Sequence, residues 1–269
     1  MKTKFKIYST AVLFMLFLFN SKEIIAQEST IYNKESQVTI FPVLWQQTSA
    51  EYRALCYQAF NFATLRLNEI PKKEIKKGNL AIITDLDETI LDNSYVGAQL
   101  IKENKQMTDA EWNRWTAASK STAVPGALAF LQEASKKGIT IFYVSNRDTA
   151  SVKSTLIDLK NLGLPNADAQ HCLFKSNTSS KEVRRLTIAK EYNIVMLLGD
   201  NLNDFKDTFE KKTIANRFLA TDAEQELWGK KFIVLPNATY GEWVSALYNY
   251  EHKTDDEKEK IRRELLKGY

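Results

Sequence analysis

Residues that commonly carry metal or nucleophilic chemistry are scarce in this sequence, which holds two cysteines and two histidines among 269 residues. There is no Cys-x-x-Cys pair and no Cys/His cluster, so a zinc site is not predicted. His171 and His252 lie far apart along the chain, which disfavours histidine-based catalysis. Cys56 and Cys172 allow one internal disulfide at most, and their apolar surroundings favour two buried free thiols.

A strong charge of either sign is also missing. The formal net charge is +4, and most of it lies in residues 1–26, so the remaining chain is nearly neutral. This balance gives no support for binding a nucleic-acid polymer. The apolar run over residues 11–19 is too short for a clear membrane span. A hydrophobic content of 44% suits one large globular domain, or a domain with an insertion.

The first 26 residues have the pattern of a secretory signal peptide. A basic start is followed by the apolar core, and Ala26 ends a possible cleavage site. An uncleaved anchor is the alternative interpretation. We therefore expect export to the periplasm or cell surface, with membrane contact only if the leader is retained or the chain is lipidated.

Short apolar runs alternate with segments of helical spacing after a polar, loose N-terminal stretch at 27–38. This alternation predicts an α/β fold, in which a Rossmann-like parallel sheet is covered by helices on both faces. Helices are predicted over 44–70, 127–137, 150–161 and 254–267, and strands over 80–84, 139–144, 172–174, 194–198 and 232–235.

Residues 93–123 show no strong strand signal and contain Trp112 and Trp115. We interpret this segment as a small helical cap inserted after the first strand, leaving 27–92 and 124–269 as the core. Most tryptophans simply pack in a core. A cap above a strand end, however, raises the chance that one of these two faces a substrate.

Carboxylates follow two of the predicted strands directly. Asp85 and Asp87 come after the first strand, and Asp200 and Asp204 come after the strand at 194–198. The carboxyl ends of parallel strands meet at one edge of a sheet, where ligands bind. Clustered carboxylates repel one another unless a cation lies among them, and an all-oxygen ligand set favours Mg²⁺. A turn or helix-cap role for Asp85 is the alternative.

Lys181 follows a predicted capping box formed by Ser179 and Glu182. A lysine in the first turn of a helix is unfavourable for the helix dipole, unless an anion also binds there. A solvated surface lysine is the alternative. Together with Ser145, which ends the strand at 139–144, Lys181 would hold the oxygens of a phosphate. Asp85 would then attack phosphorus, and Asp87 would protonate the leaving alcohol.

The motif DLDETILDNS at 85–94 resembles the signature of class C acid phosphatases, bacterial outer-membrane lipoprotein phosphatases of the haloacid dehalogenase superfamily. Other stretches are similar to that family as well, so the likeness covers nearly the whole chain after the leader. These stretches are LWQQTSAE at 44–51, VSNR at 144–147, GDNLNDF at 199–205 and PNATYG at 236–241.

The resemblance implies hydrolysis of nucleoside 5′-monophosphates and other small phosphomonoesters at acid pH, with Mg²⁺ as cofactor. Asp85 matches the nucleophile and Asp87 the acid/base. The remaining implied roles are metal binding by Asp85, the Asp87 carbonyl, Asp200 and the supporting Asp204, phosphate binding by Ser145, Asn146 and Lys181, and base stacking by Trp112 and Tyr240.

Members of that family typically carry a lipidated cysteine just after the leader, and no cysteine lies there in this sequence. A freely soluble exported enzyme is therefore expected. Two other functions compete with the phosphatase prediction. One is a non-catalytic surface protein that binds haem or a nucleotide on the same scaffold, and the other is a phosphotransferase of the same superfamily.

Overall fold

The computed structural model describes residues 33–269, so the predicted signal peptide lies outside the described residues. The strands in chain order are β1 Leu80–Thr84, β2 Leu91–Asp92, β3 Thr122–Ala123, β4 Thr140–Asp148, β5 Cys172–Lys175, β6 Asn193–Gly199 and β7 Phe232–Val234. Five of them form a parallel sheet in the order β5-β4-β1-β6-β7, which confirms the predicted α/β class.

Helices cover both faces of this sheet. Leu80 and Ile82 of β1 pack into one hydrophobic cluster, and Ala81 and Ile83 pack into another, which also contains Ile188. The helices are α1 Lys34–Thr48, α2 Ala50–Glu69, α3 Lys72–Ile75, α4 Ser94–Lys102, α5 Asp109–Ala118, α6 Ala127–Lys136, α7 Val152–Asn161, α8 Glu182–Ala189, α9 Ile214–Ala223, α10 Glu242–Leu247 and α11 Asp255–Leu265.

The N-terminal helices differ from the prediction. Asn33 caps α1 by accepting a hydrogen bond from the backbone N–H of Ser36 at 3.0 Å, so the chain is already helical where a loose stretch was predicted. The predicted helix at 44–70 is interrupted at Ser49, which has extended backbone and caps α2 through the N–H of Tyr52 at 2.9 Å. Local capping bonds therefore set these boundaries.

The segment at 93–123 contains α4 and α5, and the short strands β2 and β3 pair antiparallel at its two ends. α4 runs antiparallel to α1. Gln47 of α1 donates a hydrogen bond to Ser94 at 3.1 Å at one end of the pair, and the backbone N–H of Asn33 reaches the Asn104 side chain at 2.6 Å at the other.

The C-terminal helix α11 contacts the start of α1. Arg262 donates to the Glu35 carboxylate at 2.9 Å, and Lys258 lies 3.4 Å from the same carboxylate. Cys56 and Cys172 are buried free thiols, as expected. Among residues 33–269, no helix is both long enough and apolar enough to cross a bilayer.

Candidate active site

Asp85 lies at the carboxyl end of the central strand β1. Its backbone N–H donates to the carbonyl of Leu198 on β6 at 3.0 Å, so the two strand ends are fixed side by side. The carboxylate forms an ion pair with Lys181 and is 11% exposed. Burial raises the pKa of Asp85 well above its usual value, although Lys181 opposes this shift.

Asp200 and Asp204 complete a cluster with Asp85. One carboxylate oxygen from each of the three residues lies within 4.8 Å of the other two. Asp200 accepts hydrogen bonds from the Thr89 hydroxyl at 3.0 Å and from the Asn237 amide at 2.8 Å. Burial, followed by the charge of Asp204, raises the pKa of Asp200 to about 7. Three clustered carboxylates with only oxygen donors fit a hard divalent cation, which would relieve their repulsion.

Gly199 allows this close approach at the end of β6. A Cβ atom at this position would overlap the side chain of Asp204. Asp204 is held in place by the backbone N–H of Asn201, which donates to its carboxylate at 3.0 Å. The glycine in the Gly-Asp pair therefore has a steric role, because it lets the second carboxylate fold back against the strand.

Lys181 lies between Asp85 and Asp204 and is 4% exposed. Its ammonium is 2.6 Å from Asp204. The alternative of a solvated surface lysine is therefore wrong. The predicted capping box is also wrong, because α8 begins only at Glu182, whose carboxylate binds Arg185 at 2.5 Å instead of returning to Ser179. The ammonium of Lys181 therefore compensates the negative charges of Asp85 and Asp204.

Asp87 is oriented by Arg147, which has no exposed side-chain surface. The guanidinium donates from Nη2 at 2.7 Å and from Nε at 3.0 Å to one carboxylate oxygen. The Asn93 amide donates to the same oxygen at 2.8 Å. Arg147 also donates to the Thr155 hydroxyl at 3.0 Å and lies 5.8 Å from the ring centre of Trp112. Sequence reasoning assigned no role to Arg147.

Ser145 and Asn146 lie within β4, which continues to Asp148 rather than ending at 144 as predicted. The Ser145 hydroxyl accepts the backbone N–H of Arg147 at 3.1 Å. Arg184 of α8 donates to the Ser145 carbonyl and to the Asn146 side chain, each at 2.6 Å. Arg184 therefore ties this strand end to the helix that begins next to Lys181.

Glu88 is a second feature that sequence reasoning missed. It is 1% exposed and has a φ of +57°, a conformation that is uncommon for residues other than glycine. Its carboxylate accepts hydrogen bonds from the Asn93 backbone N–H at 2.9 Å and from the Tyr240 hydroxyl. Burial raises the pKa of Glu88 well above its usual value. Tyr240 is thereby tied to the loop that carries Asp85 and Asp87.

A single cavity of about 570 Å³ joins these groups. It brings together most of the residues that the sequence predicted, whereas Ser145 is buried beside it and does not line it. The predicted residues that line the cavity are Asp85, Asp87, Trp112, Asn146, Lys181, Asp200, Asp204 and Tyr240.

Comparison with known proteins gives consistent results. The family model of HAD superfamily subfamily IIIB, described as acid phosphatase, matches residues 19–243. A class C acid phosphatase from Bacillus anthracis is similar in structure, with 36% sequence identity and a TM-score of 0.82. The match covers 88% of this chain and 100% of that chain. A structure of the Bacillus anthracis enzyme with tungstate bound gives the same values.

Proposed function

This chain belongs to the acid phosphatases of HAD superfamily subfamily IIIB, and on this premise we propose that it hydrolyses nucleoside 5′-monophosphates with Mg²⁺ through an aspartyl-phosphate. As a member of that family it is a phosphomonoesterase, which decides against the non-catalytic binder. The observation that carries the proposal is the convergence of Asp85, Asp200 and Asp204 beside Lys181, in one cavity with Asp87.

In the first chemical step, a carboxylate oxygen of Asp85 forms a bond to phosphorus while the ester P–O bond breaks. The leaving alcohol takes its proton from Asp87. In the second step, Asp87 takes a proton from water, whose oxygen attacks phosphorus and releases phosphate and free Asp85. Lys181 stabilises the charge that develops on the phosphate oxygens.

The metal would be held by Asp85, Asp200 and the carbonyl of Asp87, with Asp204 in support. Bound Mg²⁺ supplies positive charge between the Asp85 carboxylate and the incoming phosphate. Lys181 also neutralises part of the negative charge of this cluster, through its ion pairs with Asp85 and Asp204. The related enzyme with tungstate bound is consistent with this arrangement, since tungstate is a tetrahedral oxyanion like phosphate.

A nucleotide substrate is supported by the two aromatic side chains in the cavity. Trp112 and Tyr240 both line it, and the hydroxyl of Tyr240 is bound by Glu88. Stacking on an aromatic side chain contributes about 1–3 kcal/mol per base and tolerates any base, because every base has a π face. We therefore expect nucleoside 5′-monophosphates to be hydrolysed with little preference among bases.

The test is a panel of phosphomonoesters assayed with Mg²⁺ and with a chelator. We expect Asp85→Asn to abolish hydrolysis without loss of folded structure, and the chelator to abolish it in the wild type. Asp222→Asn is the matched control, since Asp222 is exposed on α9 and does not line the cavity. Wild-type rates for Asp85→Asn would remove Asp85 from the role of nucleophile. Transfer of phosphate to an added alcohol would identify a phosphotransferase instead.

We also propose that the protein is exported to the periplasm or cell surface, on the basis of the leader pattern in residues 1–26. Cell fractionation of the full chain, beside a chain that lacks residues 1–26, tests this. The full chain should appear outside the cytoplasm, and the shortened chain inside it. Equal distribution of the two would contradict a signal-peptide role.

A further inference from the structure

The cavity continues beyond the catalytic carboxylates into a slot between α1 and α4. One wall of this slot comes from α1, and the other comes from α4 with the loop that follows it. The lining residues are Ser36, Thr39 and Val43 on the first wall and Val96, Gly97, Leu100, Ile101 and Met107 on the second.

The slot runs along the antiparallel helix pair. Its inner end lies at Ser94, next to Asn93, which binds Asp87. Gly97 faces Val43 midway along the slot, and a larger residue there would narrow it, since a Cβ atom would come within 3.1 Å of the valine. Ile101 lies seven residues beyond Ser94, and at 1.5 Å per helical residue this gives a slot of about 10 Å.

The walls of the slot are mainly aliphatic, and the charges lie at its ends. At the outer end, Lys258 lies 3.4 Å from Glu35, which also binds Arg262 at 2.9 Å. Lys105, near the same rim, pairs with Glu103 at 2.8 Å. These rim charges already compensate one another, so the slot does not offer a free charge to a second ionic group. A ligand that places an apolar group in the slot should bind more tightly, by up to about fourfold for each methylene that becomes buried.

We propose that this slot binds the apolar part of the substrate's alcohol. Besides nucleoside 5′-monophosphates, the enzyme then takes phosphomonoesters whose leaving group carries an aliphatic chain of up to about 10 Å, and it favours the longer chains among these. An extended chain advances about 3.3–3.6 Å for every three bonds, so this length corresponds to roughly eight carbons. Val43, Val96 and Leu100 are specificity-determining residues. The inference rests on the proposed phosphatase function and names a substrate class for the same site.

The test uses primary n-alkyl phosphates from ethyl to decyl, whose leaving alcohols have nearly equal acidity. We expect kcat/KM to rise with chain length by up to about fourfold per methylene and to level off near eight carbons. The n-alkylphosphonates, which are not hydrolysed, report binding alone. Their inhibition constants should fall with chain length in the same way.

Two variants test whether the dependence of kcat/KM on chain length arises in the slot. Ile101→Trp fills the slot from α4 and Thr39→Phe fills it from α1, so each should lower the ratio of octyl to ethyl phosphate turnover by at least tenfold. Gln99→Trp is the matched control, because Gln99 is exposed on α4 and does not line the cavity. It should keep the wild-type ratio. Thermal melts verify that each variant is folded.

A kcat/KM that does not change with chain length would overturn the inference, as would an unchanged ratio in both filling variants. In either case, Mg²⁺-dependent turnover of ethyl phosphate leaves the proposed function intact. Absence of turnover for every phosphomonoester in Mg²⁺ would instead overturn the proposed function, and the inference with it.

Discussion

Arg147 offers the sharpest prediction, because it is a positioning residue for the proposed general acid. Its buried guanidinium donates to one Asp87 oxygen from Nη2 at 2.7 Å and from Nε at 3.0 Å, and Nε also lies 3.2 Å from the other oxygen. Such a fork fixes both the place and the orientation of a carboxylate. Replacement by methionine keeps much of the volume and removes the fork, so that only the Asn93 amide at 2.8 Å still holds that oxygen.

Two effects of Arg147→Met can be estimated. Removing one partner of a buried ion pair costs about 3–5 kcal/mol. We expect about 3 kcal/mol of unfolding free energy here, since Asp87 keeps 14% exposure and its bond to Asn93. A displaced general acid should lower kcat by about 10²-fold for substrates that need protonation of the alcohol. Arg147→Lys keeps the charge without the fork, and its loss should be smaller, about tenfold.

The assay compares a substrate with a poor leaving group and one with a good leaving group. Alkyl phosphates need a proton on the departing oxygen, whereas 4-nitrophenyl phosphate does not. Arg147→Met should therefore lose much more kcat on the alkyl substrate. Arg263→Met, on the exposed surface of α11, is the control. Equal losses on both substrates would mean that Arg147 supports only the fold and does not position Asp87 as a general acid.

Three further predictions concern the same site. Lys181→Met should lower kcat by about 10²–10³-fold in a steady-state assay, because a charge that faces the phosphate is lost; unchanged kcat would contradict its role. Burial and Asp204 raise the pKa of Asp200 to about 7, so the metal-free folded state binds a proton that the unfolded state releases above about pH 4. The unfolding free energy of chelator-treated protein should therefore fall as the pH rises from about 4 to 7 in urea titrations. Asp200→Asn should make this fall shallower without removing it, because the raised pKa values of Asp85 and Glu88 act in the same direction. Trp112→Ala should raise KM for nucleotides by about 5- to 160-fold, which corresponds to about 1–3 kcal/mol of lost stacking, and should leave KM for ethyl phosphate unchanged. Equal effects on both substrates would mean that Trp112 packs in the protein and does not stack on the base.

The clustering of the carboxylates could be predicted because it depends on strand ends. The apolar runs end just before Asp85 and Asp200, and they form parallel strands, so both residues lie at the same edge of the sheet. This placement does not depend on the conformation of the loops between the strands. Lys181 could be predicted because a lysine at a helix start conflicts with the helix dipole. In each case a local pattern determined the position.

The supporting contacts could not be predicted, because each depends on residues distant in sequence. Arg147 and Asp87 are separated by 60 positions, and Glu88 and Tyr240 by 152. Nor does the sequence show the positive φ of Glu88. The tail helix has the pattern of a surface helix, yet Lys258 reaches the outer end of the cavity through its contact with the start of α1.

Asp85 is the proposed nucleophile, and it lies in a carboxylate cluster that would bind the cation. The most direct measurement is rapid acid quenching of the enzyme with ³²P-labelled substrate and Mg²⁺, followed by peptide mapping of the label. We expect a transient label on the peptide that contains Asp85, absent with a chelator and absent in Asp85→Asn. A label on another residue, or full turnover by Asp85→Asn, would contradict this proposal.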